Sequence, residues 1–525
     1  MPHNLVLIFD TLAFTYVAFL LGDAAARGLA IGFRSRIQRV VYPILLGYGG
    51  FGFYGLLLGL AGALSSFYLH LLVLIVLILS AGKIASHVAA LRLSIPSFRS
   101  LGVPIRGAFG DYPFLKGLLC VWLALTFLIV FVPVTGYDST RYHMPIIMDM
   151  IENQGPTFSA SLHDYYPWVP LLGEIIYAVP LIIFANFSEP YIFQLMQYGA
   201  LILIILLVYD AAAPRISDPR LRLMLPFMIL SIFDLAREVM HGGYTDILLV
   251  LFGLAGTIPI MEWVSGGSNP QRSGMLRLSA LLLGIALGIK YNAIYFVLIN
   301  GGFLLVALLF RRAGVGRMAG VLSAYFGLAV AVSGFWYLKN AIWFGNPVYP
   351  MQLWDGSGVI SDTIIYERSI GNLFLFPLYH FGSVSAHDSS SKLIVFGYFV
   401  LLYVLVALFA AFKRKELWGM NGLALAFVHL YLWLIFFTAH YTRYFLAPLI
   451  LVPPVFLSLL DSAYRSLSVR SGARFSPLLS RVLSGAIYAA VLVLFLGNMH
   501  YFHVKFLYAF GFLSAPEYVR EIGSQ

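Results

Sequence analysis

Residues 167–186 read PWVPLLGEIIYAVPLIIFAN, and the way this stretch meets the membrane fixes the topology of everything after it. It is as apolar and as long as a transmembrane helix, which needs about 20 residues, yet it holds three prolines and Glu174. Fourteen further segments are long and apolar enough to cross: 5–22, 40–62, 67–90, 114–134, 190–210, 220–240, 247–264, 278–295, 296–310, 318–338, 393–411, 417–438, 445–462 and 482–504. Charge separates the two placements. If 167–186 stays on one side, the connecting loops put 23 Lys and Arg on one face and eight on the other. If it crosses, the tally becomes 15 against 16. Cytoplasmic loops carry the excess of Lys and Arg. The biased partition therefore predicts fourteen spans, both ends of the chain outside, and 167–186 lying in or dipping into the outer interface.

Composition agrees. Of 525 residues, 60% are hydrophobic, 16% aromatic and 11% charged, and the mean hydropathy is +0.87. Soluble domains carry about 25% charged residues, so a water-soluble fold is excluded. The expected fold class is an all-α polytopic membrane protein of about fourteen transmembrane helices with external juxtamembrane helices. The net charge of +10 does not indicate nucleic acid, because the basic residues sit in the loops of one face. Cys120, the only cysteine, lies in an apolar run, which leaves neither a disulfide nor a thiolate metal site. Met1 to Phe9 has no basic leader and no small-residue cleavage site, so a retained first span is expected. Two external regions, 135–189 and 343–391, are too long for simple turns, and long ordered loops are usually functional.

Ionisable side chains near membrane depth are costly and point to function, and in this topology they gather on the outer face. Tyr137, Asp138, Arg141, Tyr142 and His143 open the first external region in GYDSTRYHMP (136–145), and His163, Asp164 and Glu174 follow. Asp246 stands at the outer end of a span in HGGYTDILLV (241–250), Lys290 in GIKYN (288–292), and Lys339 with Asn340 in WYLKNAIWFGNPVYP (336–350). His440, Arg443 and Tyr444 begin the next outward end in AHYTRYFLAP (439–448). Acids and cations at one face suit a site that handles a phosphate and a hydroxyl. A carboxylate accepts the proton of an acceptor hydroxyl, and cations hold a phosphate as it leaves. The aromatic side chains offer flat apolar surfaces to sugar rings and prenyl chains.

The same residue types have plainer uses. Asp is a preferred N-cap, which would suit Asp138 before Thr140 and Asp246 before Ile247. Lys339 and Arg443 would also serve as snorkelling anchors, His143 as a structural histidine, and outer Trp and Tyr as an interfacial belt.

The segment Tyr137-Asp138-Ser139-Thr140-Arg141-Tyr142-His143 resembles the opening motif of the GT-C superfamily of membrane glycosyltransferases, in the branch of protein O-mannosyltransferases and the lipid A aminoarabinose transferase. The prolines after Tyr166 are similar to that family's Pro-Pro-Leu stretch, although Trp168-Val169 separates Pro167 from Pro170. Tyr244-Thr245-Asp246 resembles the family's second external acidic site, and Gly288-Ile289-Lys290-Tyr291, Asn346-Pro347-Val348-Tyr349-Pro350 and Arg443-Tyr444 follow in the family's order. The likeness covers roughly 114–450, so 1–113 would be three additional spans ahead of a GT-C-like catalytic domain in 114–525.

The resemblance implies sugar transfer from a polyprenyl-phosphate carrier to a hydroxyl of a protein, lipid or glycan acceptor, at the outer face of a bacterial cytoplasmic membrane. It makes Asp138 the base and Asp246 a second catalytic carboxylate. It puts Arg443, Lys339 and Lys290 on the donor phosphate, and Tyr137, Arg141, Tyr142, His143, Glu174 and Tyr444 against the substrates. No resident cofactor is called for. A divalent metal is compatible but not required, since no DxD pair is evident. Two other functions use the same charges. A transporter or flippase would line a cavity with them, although no internal repeat is visible and the charges lie at the outer ends. A ligase using a lipid pyrophosphate would rely on Arg and His and dispense with Asp138.

Overall fold

The computed structural model describes residues 2–94, 111–158, 166–188, 191–266, 273–351, 371–373, 402–409, 419–437 and 442–523, with the isolated positions 400 and 417. Every element named below is helical. Four helices open the chain: α1 (Pro2–Gly28), α2 (Gln38–Leu60), α3 (Ser66–Leu79) and α4 (Ala81–Ser94). α5 (Pro113–Ile129) leads to a π-helical turn, Ser139–His143, which runs into α6 (Met144–Glu152). A 3-10 turn at Tyr166–Trp168 precedes α7 (Leu172–Phe184). Then come α8 (Ile192–Ala212), α9 (Pro219–Leu230), α10 (Phe233–His241), α11 (Asp246–Ser265), α12 (Ser273–Ile289), α13 (Ala293–Phe310) and α14 (Val315–Phe344). The last described elements are α15 (Met420–Phe436), α16 (Leu446–Tyr501), α17 (His503–Ala509) and α18 (Ala515–Gly523).

Among the described residues, eight helical stretches are long and apolar enough to cross a membrane, or nine if α3 and α4, bent by 66° at their junction, form one span. α5, α7, α12 and α15 are shorter apolar helices. The chain is an all-α polytopic membrane protein. Each expected span coincides with helix except 393–411, which lies largely outside the described residues, as does most of 343–391. Several expected spans are interrupted, 278–295 by the Lys290–Asn292 turn between α12 and α13 among them. The segment 67–90 breaks at Ser80, and 220–240 breaks at Ser231–Ile232, where Ile232 turns extended (φ −70°, ψ 101°) and α10 starts afresh.

α16 contains two passes. Its first half ends where Asp461 accepts the backbone N–H groups of Ser217 and Asp218, both at 3.0 Å. Its second half starts at the same place, because Arg220 donates to the Ser480 carbonyl at 3.0 Å and to Ser484 Oγ at 2.6 Å. Beyond that, Phe495 and Phe227 both pack on Trp122, so the second half runs alongside α9 and the first runs against it.

The two ends of the bundle sort as the charge tally predicts. At one end Arg34 pairs with Glu262, Arg215 donates to Asn421, and Arg311 donates to the Trp263 carbonyl. At the other, Asp138 meets Arg443, Asp246 meets Lys290, and Lys339 and Asn340 meet Trp168.

α7 does not cross. Thirteen residues rise about 20 Å, short of the ~30 Å hydrocarbon core. It differs from the expectation in being enclosed by protein: every residue of 172–183 is buried. The sequence is apolar all round, and such a helix is buried on every side. α2, α6 and α12 supply the walls. α1 and α2 pack closely. A Cβ added at Gly47 would lie 1.8 Å from the Ala18 carbonyl oxygen, and one at Gly22 would lie 1.8 Å from that of Pro43. Small residues at helix contacts let membrane helices approach in this way. At the centre of the bundle stand α11 and the first half of α16, each with 89% of its apolar window buried, against 17% for α14.

Candidate active site

The site forms where five backbone pieces converge at one end of the bundle: the π-helical turn, the start of α7, α10 with the loop after it, the α12–α13 turn, and the start of α16. Single π-turns interrupt regular helix and recur at functional sites. This one presents Asp138, Tyr142 and His143 near one another, five residues taking little more than one turn.

Asp138 Oδ2 lies 2.6 Å from Arg443 Nη1, and the two side chains are 14% and 17% exposed. Asp138 stands at the N-cap of the turn but makes no side-chain capping bond, so its carboxylate is used in the ion pair. Asp246 Oδ2 lies 2.6 Å from Lys290 Nζ, with Asp246 1% exposed and Lys290 17%. It is the first residue of α11, so the N-cap position falls to Thr245, whose side chain makes no capping bond. The capping uses of Asp138 and Asp246 are therefore not the ones the chain makes of them. The Arg443 guanidinium lies over the Tyr244 ring at 5.6 Å and the Tyr444 ring at 5.7 Å.

The loop Gly242–Thr245 is held from both sides. Gly242 and Gly243 have φ of +69° and +79°, a conformation that costs glycine nothing. The Gly242 carbonyl accepts the Ser139 hydroxyl, and Gln197 Oε1 accepts the Gly243 N–H at 3.0 Å. The Tyr244 carbonyl accepts Gln197 Nε2 at 2.6 Å and the Tyr177 hydroxyl at 3.0 Å. Asp246 is thereby fixed relative to the turn that carries Asp138.

Behind these pairs His143 Nδ1 lies 2.6 Å from Glu174 Oε1, with side chains 1% and 3% exposed. Tyr142 stacks on Tyr166, with centroids 3.7 Å apart and planes 4° apart, and its ring lies 4.2 Å from that of His143. Burial, with Asp138 and Asp246 nearby, holds the Tyr142 phenol far above its usual range. Burial, then Glu238 and Asp138, pushes Tyr244 up to about 12. Both phenols therefore keep their protons at neutral pH.

Of the residues expected from sequence, Asp138, Asp246, Lys290, Arg443, Tyr142, His143, Glu174 and Tyr444 come together here. Tyr137 and Arg141 stand at the rim: Tyr137 is 68% exposed, and the Arg141 guanidinium lies 5.7 Å from its ring. Lys339 has other company. Its Nζ donates to the Trp168 carbonyl at 3.2 Å and lies among the rings of Phe158 (4.2 Å), Trp336 (5.3 Å), Trp168 (5.4 Å) and Trp343 (5.8 Å). Those contacts are cation–π attractions to a belt of aromatic side chains. His163, Asp164 and His440 lie outside the described residues.

Sequence reading missed Glu238. It is 1% exposed and lies within the fields of Asp246, Arg443, Arg237 and Lys290. Its signal was faint: one acid eight residues before Asp246, inside what reads as a continuous apolar span. Among the described residues no group of three His, Cys, Asp or Glu side chains is arranged to hold a metal ion.

No protein-family model matches the chain, and no curated protein matches it. Two solved structures are similar to it. One is ArnT from Cupriavidus metallidurans bound to undecaprenyl phosphate, with a TM-score of 0.49 and 16% identity, over 78% of this chain and 74% of that one. The other is the same protein in the apo state, with a TM-score of 0.47 and 16% identity, over 77% and 74%.

Proposed function

We propose that the chain is an integral membrane glycosyltransferase that moves a sugar from a polyprenyl-phosphate carrier to an acceptor hydroxyl at the extracytoplasmic face. The observation that carries this reading is the Asp138–Arg443 pair. Two oppositely charged side chains, far apart in sequence, meet at 2.6 Å and keep partial exposure at the end of a bundle whose surrounding side chains are buried. A base and an anion-binding group at one water-reachable point suit a reaction that removes a proton and releases a phosphate.

In this reading the lipid phosphate approaches Arg443 and Lys290 and draws Arg443 from Asp138. Donor binding thus frees the carboxylate that serves as base. Asp138 takes the proton of the acceptor hydroxyl, and the oxygen attacks the anomeric carbon from the face opposite the phosphate. The new C–O bond forms as the bond to the phosphate oxygen breaks. The polyprenyl phosphate leaves with the electron pair, held by the two cations, and configuration inverts in one step. Asp246 holds Lys290 in place, while Tyr142, His143, Glu174 and Tyr444 line the substrates, with Tyr137 and Arg141 at the rim. Lys339 contributes by fixing the loop at Trp168. The bilayer and the lipid-linked donor are the partners this chemistry needs, and no step calls for a metal.

Mass spectrometry of lipid-linked sugars and surface glycans tests the reading in cells with and without the gene. The account expects a lipid-linked sugar to accumulate and one glycan modification to vanish on deletion. Unchanged pools of both would overturn it.

A further inference from the structure

α14 is the least buried of the long apolar helices described, and its buried side chains form one stripe: Tyr325, Ala329, Ser333, Trp336, Lys339 and Asn340. Steps of three and four residues keep such a stripe on one face of a helix. α14 is fastened to α12, the helix that ends just before Lys290. Tyr325 and Ser279 share a hydrogen bond at 2.8 Å, and the Tyr337 hydroxyl donates to the Leu287 carbonyl at 3.1 Å. Asn340, with no exposed surface, closes the stripe at the end of the bundle that carries the proposed site.

Its amide joins three separate stretches of chain. Asn340 Nδ2 donates to the Tyr291 hydroxyl at 2.7 Å, to the Trp168 carbonyl at 2.9 Å and to the Tyr349 carbonyl at 3.0 Å. Two of these partners are carbonyl oxygens, which only accept, so the amide nitrogen must face them. Two N–H hydrogens serve three acceptors, so one is shared. The Tyr291 hydroxyl is fixed as well, because it gives its own proton to the Tyr349 carbonyl at 2.6 Å. Asn340 Oδ1 has no hydrogen-bond partner among the described residues. The donor half of the amide therefore does all the joining.

The joined stretches lead to both charge pairs. Tyr291 follows Lys290, whose Nζ lies 2.6 Å from Asp246 Oδ2. Trp168 ends the 3-10 turn that starts at Tyr166, and Tyr166 stacks on Tyr142 of the π-helical turn that follows Asp138. Lys339 also donates to the Trp168 carbonyl, at 3.2 Å. What Asn340 adds is a tie from that turn to the residue after Lys290. Bonds to Trp168 and Tyr349 alone would make Asn340 a clamp on two loops. The bond to Tyr291 extends the clamp to a cation of the proposed site.

We propose that Asn340 is a positioning residue that fixes Lys290 relative to the turn bearing Asp138, through Tyr291 on one side and Trp168 on the other. The inference rests on the transferase reading, in which Lys290 meets the donor phosphate, and it adds the residue that aims that cation. The test is titration of the full-length protein in nanodiscs with a bare short-chain polyprenyl phosphate, which returns affinity and the number of competent sites separately. Asn340→Leu is expected to weaken the affinity roughly tenfold, with the number of sites near that of wild type. Tyr291→Phe, which removes one hydroxyl and keeps the ring, should weaken it about threefold. On a Lys290→Ala background, which keeps Arg443, neither substitution should weaken binding further, because groups that act through one another are not additive. Unchanged affinity in both variants overturns the inference, as does an equal weakening with and without Lys290. So does a fall in the number of sites at unchanged affinity, the mark of a residue that only supports the fold. If Asn340→Leu does not fold, Tyr291→Phe decides on the same two backgrounds. Failure of the wild-type protein to bind the lipid counts instead against the transferase reading.

Discussion

At the scale of single residues, each carboxylate of the proposed site stands against a cation. Asp138 and Asp246 each hold a cation at 2.6 Å, but the two pairs differ in exposure: Asp246 is 1% exposed and Asp138 14%. A buried pair is costly to break, whereas a partly exposed one can exchange partners with a substrate. In the proposed reaction, Asp246–Lys290 would then have a fixed, positioning part and Asp138–Arg443 the reacting part. Arg443→Ala is expected to raise the donor KM by roughly tenfold or more while leaving the acceptor KM near wild type, since it removes donor binding. Arg443→Lys should recover only part of the loss, because an ammonium cannot offer two parallel bonds to a phosphate. Steady-state kinetics with each substrate varied in turn measures both. Equal effects on donor and acceptor would remove Arg443 from the phosphate.

At the scale of elements, packing that looks remote from the chemistry sets its geometry. α7 is apolar on every side and too short to cross, so it lies inside the bundle and delivers Glu174 to His143. It is walled in part by α2, which touches α1 through glycines. Gly47→Ala drives a methyl into the Ala18 backbone and is expected to cost about 1–3 kcal/mol, the range of an overpacked core. Gly28→Ala, at the end of α1, meets nothing within 4 Å and is expected to be neutral. Thermal unfolding of the detergent-solubilised protein compares the two. Equal midpoints would show that the α1–α2 contact carries no stability. The break at Ser231–Ile232 matters in the same way, since a helix restarted at Phe233 carries Glu238 into the site.

At the scale of the whole molecule, two sets of loops occupy opposite ends of one helical bundle, and the charge count of those loops predicts which end faces the cytoplasm. Asn153→Cys and Arg312→Cys, placed in a background lacking Cys120, are expected to react with a membrane-impermeant thiol reagent from opposite faces. Labelling of both from the same face would overturn the topology.

How much of this was legible follows from how each residue advertises itself. Asp138, Asp246, Lys290 and Arg443 stand out because a charge at the end of an apolar run is rare. The spans were legible for the complementary reason. Glu238 was hidden by a run that reads as one helix, since a local backbone break leaves little trace in hydropathy. Lys339 was legible as a charge but not in its surroundings, because the rings around it come from three separate stretches (158, 168 and 336–343) that only the fold brings together.

The central claim is that Asp138 takes the acceptor's proton while Arg443 holds the departing phosphate. Its most direct measurement is sugar transfer by purified Asp138→Asn beside lipid binding by the same preparation. The account predicts that transfer falls by roughly a hundredfold or more, as removal of a general base does, with polyprenyl-phosphate affinity retained. Near-wild-type turnover in that variant would contradict it.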